Sequence, residues 1–353
     1  MPLVELPGPP GDAGVAHGEW LGAMLQEPFR EVYIERVREA VGFDAAGLGA
    51  RASVWAASLG SHVREEIEGM ARGAGVGAND VERFLFADIA SPNAWPLCSS
   101  LVSNGPGCGW IGRNCDWLTP TLLRGTAGVV HRTPHRIPVL AVGIAGDIDV
   151  DTGVNAEGLW LHLHTLHATD EVAEGRPVMS WLFWAREALE TCATVDELER
   201  FIGSTARDRG VFAIAAETGA DRSAVFECGR GVYARHDVEA DGTLCVTNHS
   251  LGKTYPPRPK GVGNESGTIA RRHAMEAKVA ESGRPADWLL DWDGVSRVLA
   301  ADGVEMRTPR WIRTIYSAVF DAASGRLWFA AGTPEGTPAA SGRGWSEVRV
   351  PWR

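Results

Sequence analysis

The stretch "NAWPLCSSLVSNGPGCGWIGRNCDW", from Asn93 to Trp117, is where the character of the sequence changes. Two segments of apolar and β-branched residues flank the turn sequence "NGPG", a pattern that predicts two antiparallel strands joined by a hairpin. Cys98 lies at the start of the first strand, and Arg113 and Asp116 lie on the second. We therefore expect both ionisable side chains to approach the cysteine.

Cys98 is the first candidate nucleophile of the chain. A thiol is mostly protonated at neutral pH and needs a neighbouring base or cation in order to react. If the bond between Leu97 and Cys98 is cut, a new α-amine with an ordinary pKa of about 7.7 to 8.0 lies on the same residue as the thiol. One residue then supplies both nucleophile and base. Two structural alternatives stay open: Cys98 as a small apolar residue of a packed strand, and Arg113 with Asp116 as an ion pair that only stabilises the fold.

The sequence on either side of this hairpin predicts an α+β fold. The residues before it have helical periodicity and predict an all-helical N-terminal segment. After it, short strand-like segments continue to about Leu166, two helices follow within Met179–Ile202, and strands return from Gly210. A further helix is predicted at "SGTIARRHAMEAKVAE" and a last strand pair at "TIYSAVFDAASGRLWFAAG". This order predicts two stacked antiparallel sheets with helices packed outside them.

Composition restricts the class of partner. The 353 residues are 44% hydrophobic, carry a formal net charge of -11, and contain no clusters of Lys and Arg, which argues against nucleic acid or an anionic membrane as the main partner. The first residues lack a signal-peptide pattern and no run approaches the roughly 18 apolar residues of a membrane span. We expect a small-molecule ligand and a cytoplasmic protein whose six cysteines stay reduced, and the absence of a C-x-x-C pair argues against structural zinc.

Four motifs in order resemble a known family. They are Cys-Ser-Ser at Cys98, Gly-Arg-Asn-x-Asp-Trp around Arg113, "GVNAEGL" about forty residues later, and "VTNH" further on. The chain resembles the N-terminal-nucleophile (Ntn) hydrolases of the penicillin acyltransferase type, peptidase family C45, which are related to the choloylglycine hydrolases. The similarity runs from about Gly18 to "TIYSAVFD". It implies an αββα sandwich of two antiparallel sheets with a helical N-terminal segment.

The resemblance also implies how such a protein matures. The precursor is expected to cut itself before Cys98 into a helical segment, residues 1–97, and a catalytic domain, residues 98–353, which remain associated. The family usually has a small residue before the nucleophile, whereas this chain has Leu97. A non-catalytic protein of the same fold, in which Leu97 prevents the cut, is therefore one alternative.

Roles for individual residues follow from the same resemblance. Cys98 is expected to be the nucleophile, Asp116 to hold the amine or bind substrate with Arg113 beside it, and Asn248 to donate to the oxyanion. A substrate-binding arginine is expected shortly before the last strand pair, where both Arg310 and Arg313 qualify. The expected substrate-binding set is completed by Asn155, His162 and His164. The implied reaction needs no cofactor, and its substrate is a small N-acyl compound, with an acyl-thioester as a further class of donor.

A rival interpretation starts from the histidines of "WLHLHTLH". In a strand, Trp160, His162 and His164 share one face and the intervening leucines share the other. The two imidazoles would then ligate a metal, with His167 or a carboxylate as the third ligand, and the protein would be a metal-dependent hydrolase. This interpretation predicts a metal site where the family resemblance predicts none.

Overall fold

The computed structural model describes residues 1–90, 97–105, 108–220, 222–239, 242–252, 254–255, 267–281, 292–307, 311–342 and 344–352. Its helices are α1 Pro10–Leu21, α2 Glu27–Val41, α3 Leu48–Ala57, α4 Ser61–Ala74, α5 Ala78–Phe86, α6 Trp181–Thr191, α7 Val195–Ser204, α8 Thr268–Ala280 and α9 Trp292–Leu299. No described helix combines the length and the hydropathy that crossing a bilayer requires.

Most strands belong to two large sheets. They are β1 Leu3–Pro7, β2 Leu97–Gly105, β3 Cys108–Leu118, β4 Thr126–Arg132, β5 Val139–Ile144, β6 Thr152–Asn155, β7 Leu159–Leu166, β8 Val178–Met179, β9 Ala206–Arg207, β10 Gly210–Glu217, β11 Ser223–Cys228, β12 Tyr233–Asp237, β13 Thr243–Val246, β14 Ile312–Asp321, β15 Arg326–Ala331 and β16 Ser346–Val348. The first sheet has the order β1-β4-β5-β6-β7-β10-β11-β12, the second has the order β13-β2-β3-β14-β15-β16, and β8 and β9 form a separate pair.

The predicted hairpin around "NGPG" forms the centre of the second sheet. β2 and β3 pair antiparallel, with Cys98 opposite Cys115 and Ser100 opposite Arg113. β3 also pairs with β14, and β2 pairs with β13, so the hairpin has a neighbour on each side. The ladder with β13 ends at Ser100, so Cys98 is paired with β3 on one edge, while its N–H and C=O on the other edge bond to the side chains of Asn248 and Arg271.

Successive side chains along each strand point to opposite faces of its sheet, so the two sheets pack on each other through their inner faces and on helices through their outer faces, which gives four layers. Trp160 of β7 and Phe320 of β14 stack with ring centroids 4.6 Å apart, because the inner faces of the two sheets pack against each other. Leu161 and Leu163, on the opposite face of β7, pack instead in the apolar layer with α6 and α7. On the second sheet, Leu101 faces α8 and α9. The prediction of two antiparallel sheets enclosed by helices is confirmed.

The N-terminal segment departs from the prediction that it is entirely helical. Its first strand, β1, pairs with β4 in parallel at the edge of the first sheet, with Leu3 opposite Gly128. Leu6 of β1 packs with Ala13 of α1 and Val129 of β4 in a small apolar cluster. The other described ladders of both large sheets are antiparallel. The N-terminal segment therefore contributes one strand to the layered body.

Helices α1 and α4 lie in direct backbone contact through glycines. Gly14 on α1 and Gly73 on α4 face the partner helix, and a Cβ atom at either position would lie 2.1 Å from a backbone oxygen, of Glu66 and Val15 respectively. Gly18 and Gly69, one turn away along each helix, are equally close to the facing backbone. Only a residue without a side chain fits at such a distance.

Candidate active site

Cys98 lies between the two sheets. Its Sγ atom is 3.8 Å from the carbonyl oxygen of Leu163 on β7 and 3.5 Å from Nη2 of Arg113 on β3. The residue is 1% exposed. The thiol is therefore enclosed by backbone and by one cation.

Arg113 is fixed by contacts with the loop before β6 and with β6 itself. Its Nη1 donates to the carbonyl oxygen of Asp151 at 2.5 Å and to the Thr152 hydroxyl, and its Nη2 pairs with the Asp151 carboxylate. The guanidinium carbon lies 5.5 Å from the ring centroid of Tyr316. Burial lowers the pKa of Arg113, but attraction to the Asp151 carboxylate, together with Tyr316 and the two cysteines, raises it well above its usual range. Arg113 is thus a permanent positive charge beside the Cys98 sulfur.

A second buried arginine holds the main chain of Cys98. Arg271 extends from α8, and its Nη1 donates to the Cys98 carbonyl oxygen at 2.7 Å and to Ser99 Oγ at 2.8 Å. The same Nη1 lies 3.2 Å from a carboxylate oxygen of Asp116, and Nη2 donates to Asn248 Oδ1 at 2.9 Å. Four groups around the nucleophile therefore share one guanidinium.

Asp116 lies on the face of β3 opposite to Arg113. Its carboxylate accepts a hydrogen bond from Thr314 Oγ1 at 2.6 Å and pairs with Arg271. Burial raises its pKa to about 7, and attraction to Arg271 limits the rise. Arg113 and Asp116 have different ionic partners, so they are not an ion pair with each other, although both lie close to Cys98 as the hairpin predicts.

Asn248 lies two residues after the end of β13 and contacts the nucleophile. Its Oδ1 accepts a hydrogen bond from the backbone N–H of Cys98 at 2.9 Å. Its Nδ2 donates to the carbonyl oxygen of Thr165 at 3.0 Å, and its own N–H donates to Thr268 Oγ1 at 2.9 Å. The oxygen of the amide, rather than its nitrogen, faces Cys98, so the predicted role as an oxyanion donor stays a prediction.

His162 and His164 form an ordered hydrogen-bonded chain beneath this site. Trp160 Nε1–H can only donate, so Nδ1 of His162 accepts at 2.9 Å and its Nε2 donates to Ser100 Oγ at 2.8 Å. The carbonyl of Thr247 can only accept, so Nδ1 of His164 donates at 3.2 Å and its Nε2 accepts from Ser100 Oγ at 2.6 Å. Burial, with Arg113 nearby, holds the pKa of both imidazoles well below the usual range, and both are neutral.

The hydrogen bonds of His162 and His164 argue against the metal interpretation. Every ring nitrogen of His162 and His164 is engaged with a protein group, so neither imidazole offers a lone pair without first giving up a buried hydrogen bond. Elsewhere in the described residues, His62, Glu187 and Glu190 bring three possible ligand atoms together. Arg136 already pairs with both of those carboxylates, at 2.8 and 3.2 Å, and occupies the position that a cation would need.

A cleft opens beside Cys115, the residue paired with the nucleophile. Cys115, Asp151 and Tyr316 line it, and all three lie close to Arg113. Asp147 and Asp149 also face the cleft, and the remaining lining is largely apolar, including Ile89, Trp117, Trp181 and Leu182. Burial raises the pKa of Asp147 to about 6, and burial together with Asp147 raises that of Asp149 well above its usual range. The cleft thus combines aromatic side chains with two carboxyl groups that take up a proton at a higher pH than an ordinary aspartate does.

Comparison with known families identifies the chain. The model of the family described as acyl-coenzyme A:6-aminopenicillanic acid acyl-transferase matches residues 103–336, about two thirds of the sequence. The chain belongs to this family. The predicted resemblance is therefore confirmed, as is the prediction that the protein is an enzyme of the amide-hydrolase and acyltransferase class. The acyltransferase match includes Arg113, Asp116 and Asn248, and it begins just after Cys98.

Solved structures align with this acyltransferase-family chain over most of their own lengths. An N-acylethanolamine-hydrolyzing acid amidase ortholog from Caenorhabditis elegans is 20% identical, with 63% of this chain and 92% of that chain covered and a TM-score of 0.47. A mutant of the conjugated bile acid hydrolase from Clostridium perfringens is 12% identical, with 72% and 92% covered and a TM-score of 0.48. Penicillin V acylase from Agrobacterium tumefaciens is 16% identical, with 66% and 83% covered and a TM-score of 0.45. Comparison with curated proteins finds no match.

Two residues expected to bind substrate in this acyltransferase-family protein, Asn155 and Arg313, contact backbone groups away from Cys98. Asn155 is wholly engaged with backbone: its Nδ2 donates to the carbonyls of Leu189 and Cys192, and its Oδ1 accepts from Leu159 N–H, so it fixes the β6–β7 turn against α6. Arg313 donates to the carbonyl of Gly336 at 3.0 Å, at the end of the last strand pair. Arg310 lies outside the described residues.

Sequence reasoning missed Arg271 and Asp151, although a signal for Arg271 is present. On α8 the buried residues are Thr268, Arg271, Met275 and Val279, a helical spacing in which an arginine occupies a position that faces the core. A charged residue in the buried phase of an amphipathic helix needs a buried partner. Asp151 has no such periodic signal, because it lies in the turn before the short strand β6.

Proposed function

We propose that this protein is a self-processed cysteine Ntn amidohydrolase or acyltransferase, which breaks or makes an amide bond through a thioester on Cys98. The observation that carries the proposal is the environment of this one residue. Its sulfur contacts Arg113, and its backbone nitrogen, the atom that would become the α-amine, contacts Asn248. Nucleophile, cation and amine acceptor are thus assembled around the residue that the four motifs single out.

The maturation step is an N-to-S acyl shift. The Cys98 thiolate attacks the carbonyl carbon of Leu97, the bond to the Cys98 nitrogen breaks, and that nitrogen takes up a proton to become the free α-amine. Water then cleaves the resulting thioester, which releases a carboxylate at Leu97 and restores the thiol. Arg271 donates to the Cys98 carbonyl and Asn248 accepts from its N–H, so the main chain is held on both sides of the reacting atoms.

The mature reaction uses the same atoms. The α-amine of Cys98 accepts the thiol proton, the thiolate attacks the substrate carbonyl, and the amine returns the proton to the leaving group. Water completes hydrolysis, while a second amine or thiol completes transfer. Asn248 Oδ1 orients the α-amine in this proposal, and Arg113 stabilises the negative charge on sulfur. Asp116 acts through Arg271, and no metal or cofactor is required for any of these roles.

The cleft supports a small N-acyl substrate. Its apolar lining, including Trp117 and Trp181, suits an apolar or aromatic acyl group. Cys115 and Asp151 mark the end of the cleft nearest to Arg113, so the acyl carbonyl would enter at this end. An acyl-thioester is a second class of donor, because the family description names an acyl-coenzyme A.

We also propose that fragments 1–97 and 98–353 remain associated after the cut. The pairing of β1 with β4 would then join the two fragments by backbone hydrogen bonds. Buried ion pairs cross the same boundary: Asp88 lies 3.3 Å from Arg124 Nη1, and Glu66 lies 2.7 Å from Arg186 Nη1. Separation would deprive the buried Asp88 and Glu66 carboxylates of these arginine partners. The free thiols of the five described cysteines support a reducing compartment such as the cytoplasm.

Intact-mass analysis after expression tests the proposal. We expect the wild type to give two masses that correspond to residues 1–97 and 98–353, whereas Cys98→Ala gives one uncut, inactive chain. Cys245→Ala is the matched control, since Cys245 is a buried cysteine on β13 whose side chain packs with α8 and α9, and it should be cut and active.

The activity assay uses N-acyl amino acids, β-lactams and acyl-thioesters, with hydroxylamine as a competing acceptor. We expect hydroxamate to form at the expense of free acid, and an acyl adduct to appear on the fragment that begins at Cys98. Activity retained by Cys98→Ala, or a wild type that is active as a single uncut chain, would contradict the proposal. Loss of activity on chelation with recovery on adding zinc would favour a metallohydrolase instead.

A further inference from the structure

The nucleophile has a second cysteine directly opposite it. Cys98 of β2 and Cys115 of β3 are paired in the antiparallel register, so their side chains lie on the same face. Directly opposite residues of such a pair have Cα atoms about 4.5 to 5.5 Å apart, within the roughly 4.4 to 6.8 Å that disulfides span. Both cysteines are free thiols.

The two sulfurs have different surroundings. Cys115 lines the cleft, and its Sγ lies 3.6 Å from the Asp151 carboxylate. Cys98 has the Arg113 guanidinium beside its sulfur. The carboxylate beside Cys115 makes that sulfur the weaker nucleophile, so Cys98 is the sulfur that an oxidant attacks and Cys115 is the thiol that resolves the product. The neighbouring Cys98 thiol, burial and the Asp151 charge together raise the pKa of Cys115 well above its usual range.

We propose that Cys98 and Cys115 form a reversible disulfide that switches the nucleophile off under oxidising conditions. The oxidant is a peroxide. The Cys98 thiol reacts with hydrogen peroxide to give a sulfenic acid and one water, and the Cys115 thiol then displaces hydroxide from that sulfur to give the disulfide and a second water. Two thiols are oxidised by two electrons, one peroxide is reduced to two waters, and a dithiol reductant reverses the change.

The pair also protects the nucleophile. A sulfenic acid that meets no second thiol is oxidised further to a sulfinic acid, which ordinary thiol reductants do not restore. Because Cys115 lies opposite Cys98 in the ladder, condensation needs no movement of the backbone. The disulfide would therefore store the enzyme in a recoverable form. Loss of activity in this proposal rests on the proposed role of Cys98, whereas formation of the bond does not.

Tryptic mapping under non-reducing conditions tests the bond. Arg113 separates the two cysteines, so Cys98 falls in the peptide that ends at Arg113 and Cys115 falls in the peptide "NCDWLTPTLLR" that follows it. Cys108 shares the first peptide, and the Cys108→Ala variant removes that ambiguity. We expect hydrogen peroxide to produce the linked pair of peptides with a loss of two hydrogen masses, and dithiothreitol to separate them.

A second experiment compares how much enzyme activity each variant recovers after oxidation. Wild type and Cys108→Ala should lose nearly all activity with peroxide and regain it with dithiothreitol. Cys115→Ala and Cys115→Val, each measured against its own untreated sample, should lose activity without recovery and carry a sulfinic acid on Cys98. Two outcomes would overturn the proposal: no linked peptides in oxidised Cys108→Ala, or equal recovery with and without Cys115. The peptide map needs no activity, so a failure of the proposed function is distinguishable from a failure of the switch.

Discussion

Replacing Ser100 by alanine tests the hydrogen bonds that link His162 and His164 through the Ser100 hydroxyl. The hydroxyl of Ser100 accepts from one imidazole at 2.8 Å and donates to the other at 2.6 Å, and all three residues are 0% exposed. The substitution leaves two buried ring nitrogens without a partner. At about 1 to 3 kcal/mol for each unsatisfied group, we expect a loss of about 2 to 6 kcal/mol in the free energy of unfolding.

The assay is urea unfolding at neutral pH, with Ser103→Ala as the matched control. Ser103 is a buried serine of the same strand whose hydroxyl accepts one bond, from Thr243 at 3.2 Å, so its loss should cost only about 0.5 to 1.5 kcal/mol. If Ser100→Ala is no less stable than Ser103→Ala, the reasoning about the histidine chain is refuted. Zinc should leave the wild-type midpoint unchanged, because a ligand that binds the folded protein would raise it.

Two further predictions concern the N-terminal helices. Gly14→Ala should lower the free energy of unfolding by about 1 to 3 kcal/mol or more, since its Cβ would lie 2.1 Å from the carbonyl oxygen of Glu66. Gly47→Ala is the control in the same urea assay: its Cβ has only a side-chain atom at 3.9 Å, and because Gly47 is the N-cap of α3 the change should cost no more than about 1 kcal/mol. His17 is buried and its pKa falls from 6.5 to about 3, mainly through burial, so the folded protein keeps it neutral while the unfolded chain takes up a proton below pH 6.5. The contribution of neutral His17 to the free energy of unfolding is complete above pH 6.5 and is lost as the pH falls, by about 2 kcal/mol at pH 5. Between pH 7 and pH 5, His17→Leu should therefore lose about 2 kcal/mol less stability than wild type. Parallel profiles of stability against pH would contradict this account.

Local pattern was sufficient for much of the fold. The hairpin of β2 and β3 could be predicted because the turn "NGPG" and both strands are contiguous in the sequence. The two helices predicted within Met179–Ile202 are α6 and α7, and α7 begins at a local N-cap contact in which Thr194 Oγ1 accepts from the N–H of Glu197 at 3.2 Å. Trp160 and Leu161 face opposite layers because alternation along a strand depends only on neighbours.

Features that depend on distant residues could not be predicted in the same way. The five residues of β1 have no signal of their own, since the strand is completed only by pairing with β4. Arg271 contacts Cys98, Asp116 and Asn248, which come from three separate segments, so no local pattern marks the contact. Asn155 was predicted from its motif to bind substrate, but its motif also forms a turn, and the turn uses the whole amide.

The parallel pairing of β1 has a consequence for how the chain is made. Leu3 pairs with Gly128, so about 125 residues must be synthesised before the first strand has a partner. At about 5 to 20 residues per second, β1 waits for roughly 6 to 25 s after it is translated. Helices α1 and α4 lie within the first 74 residues and can close on each other during that interval. β1 is thus able to join its sheet only after β4 has been synthesised, and until then its apolar residue Leu6 has Ala13 of α1 as a neighbour but lacks Val129 of β4.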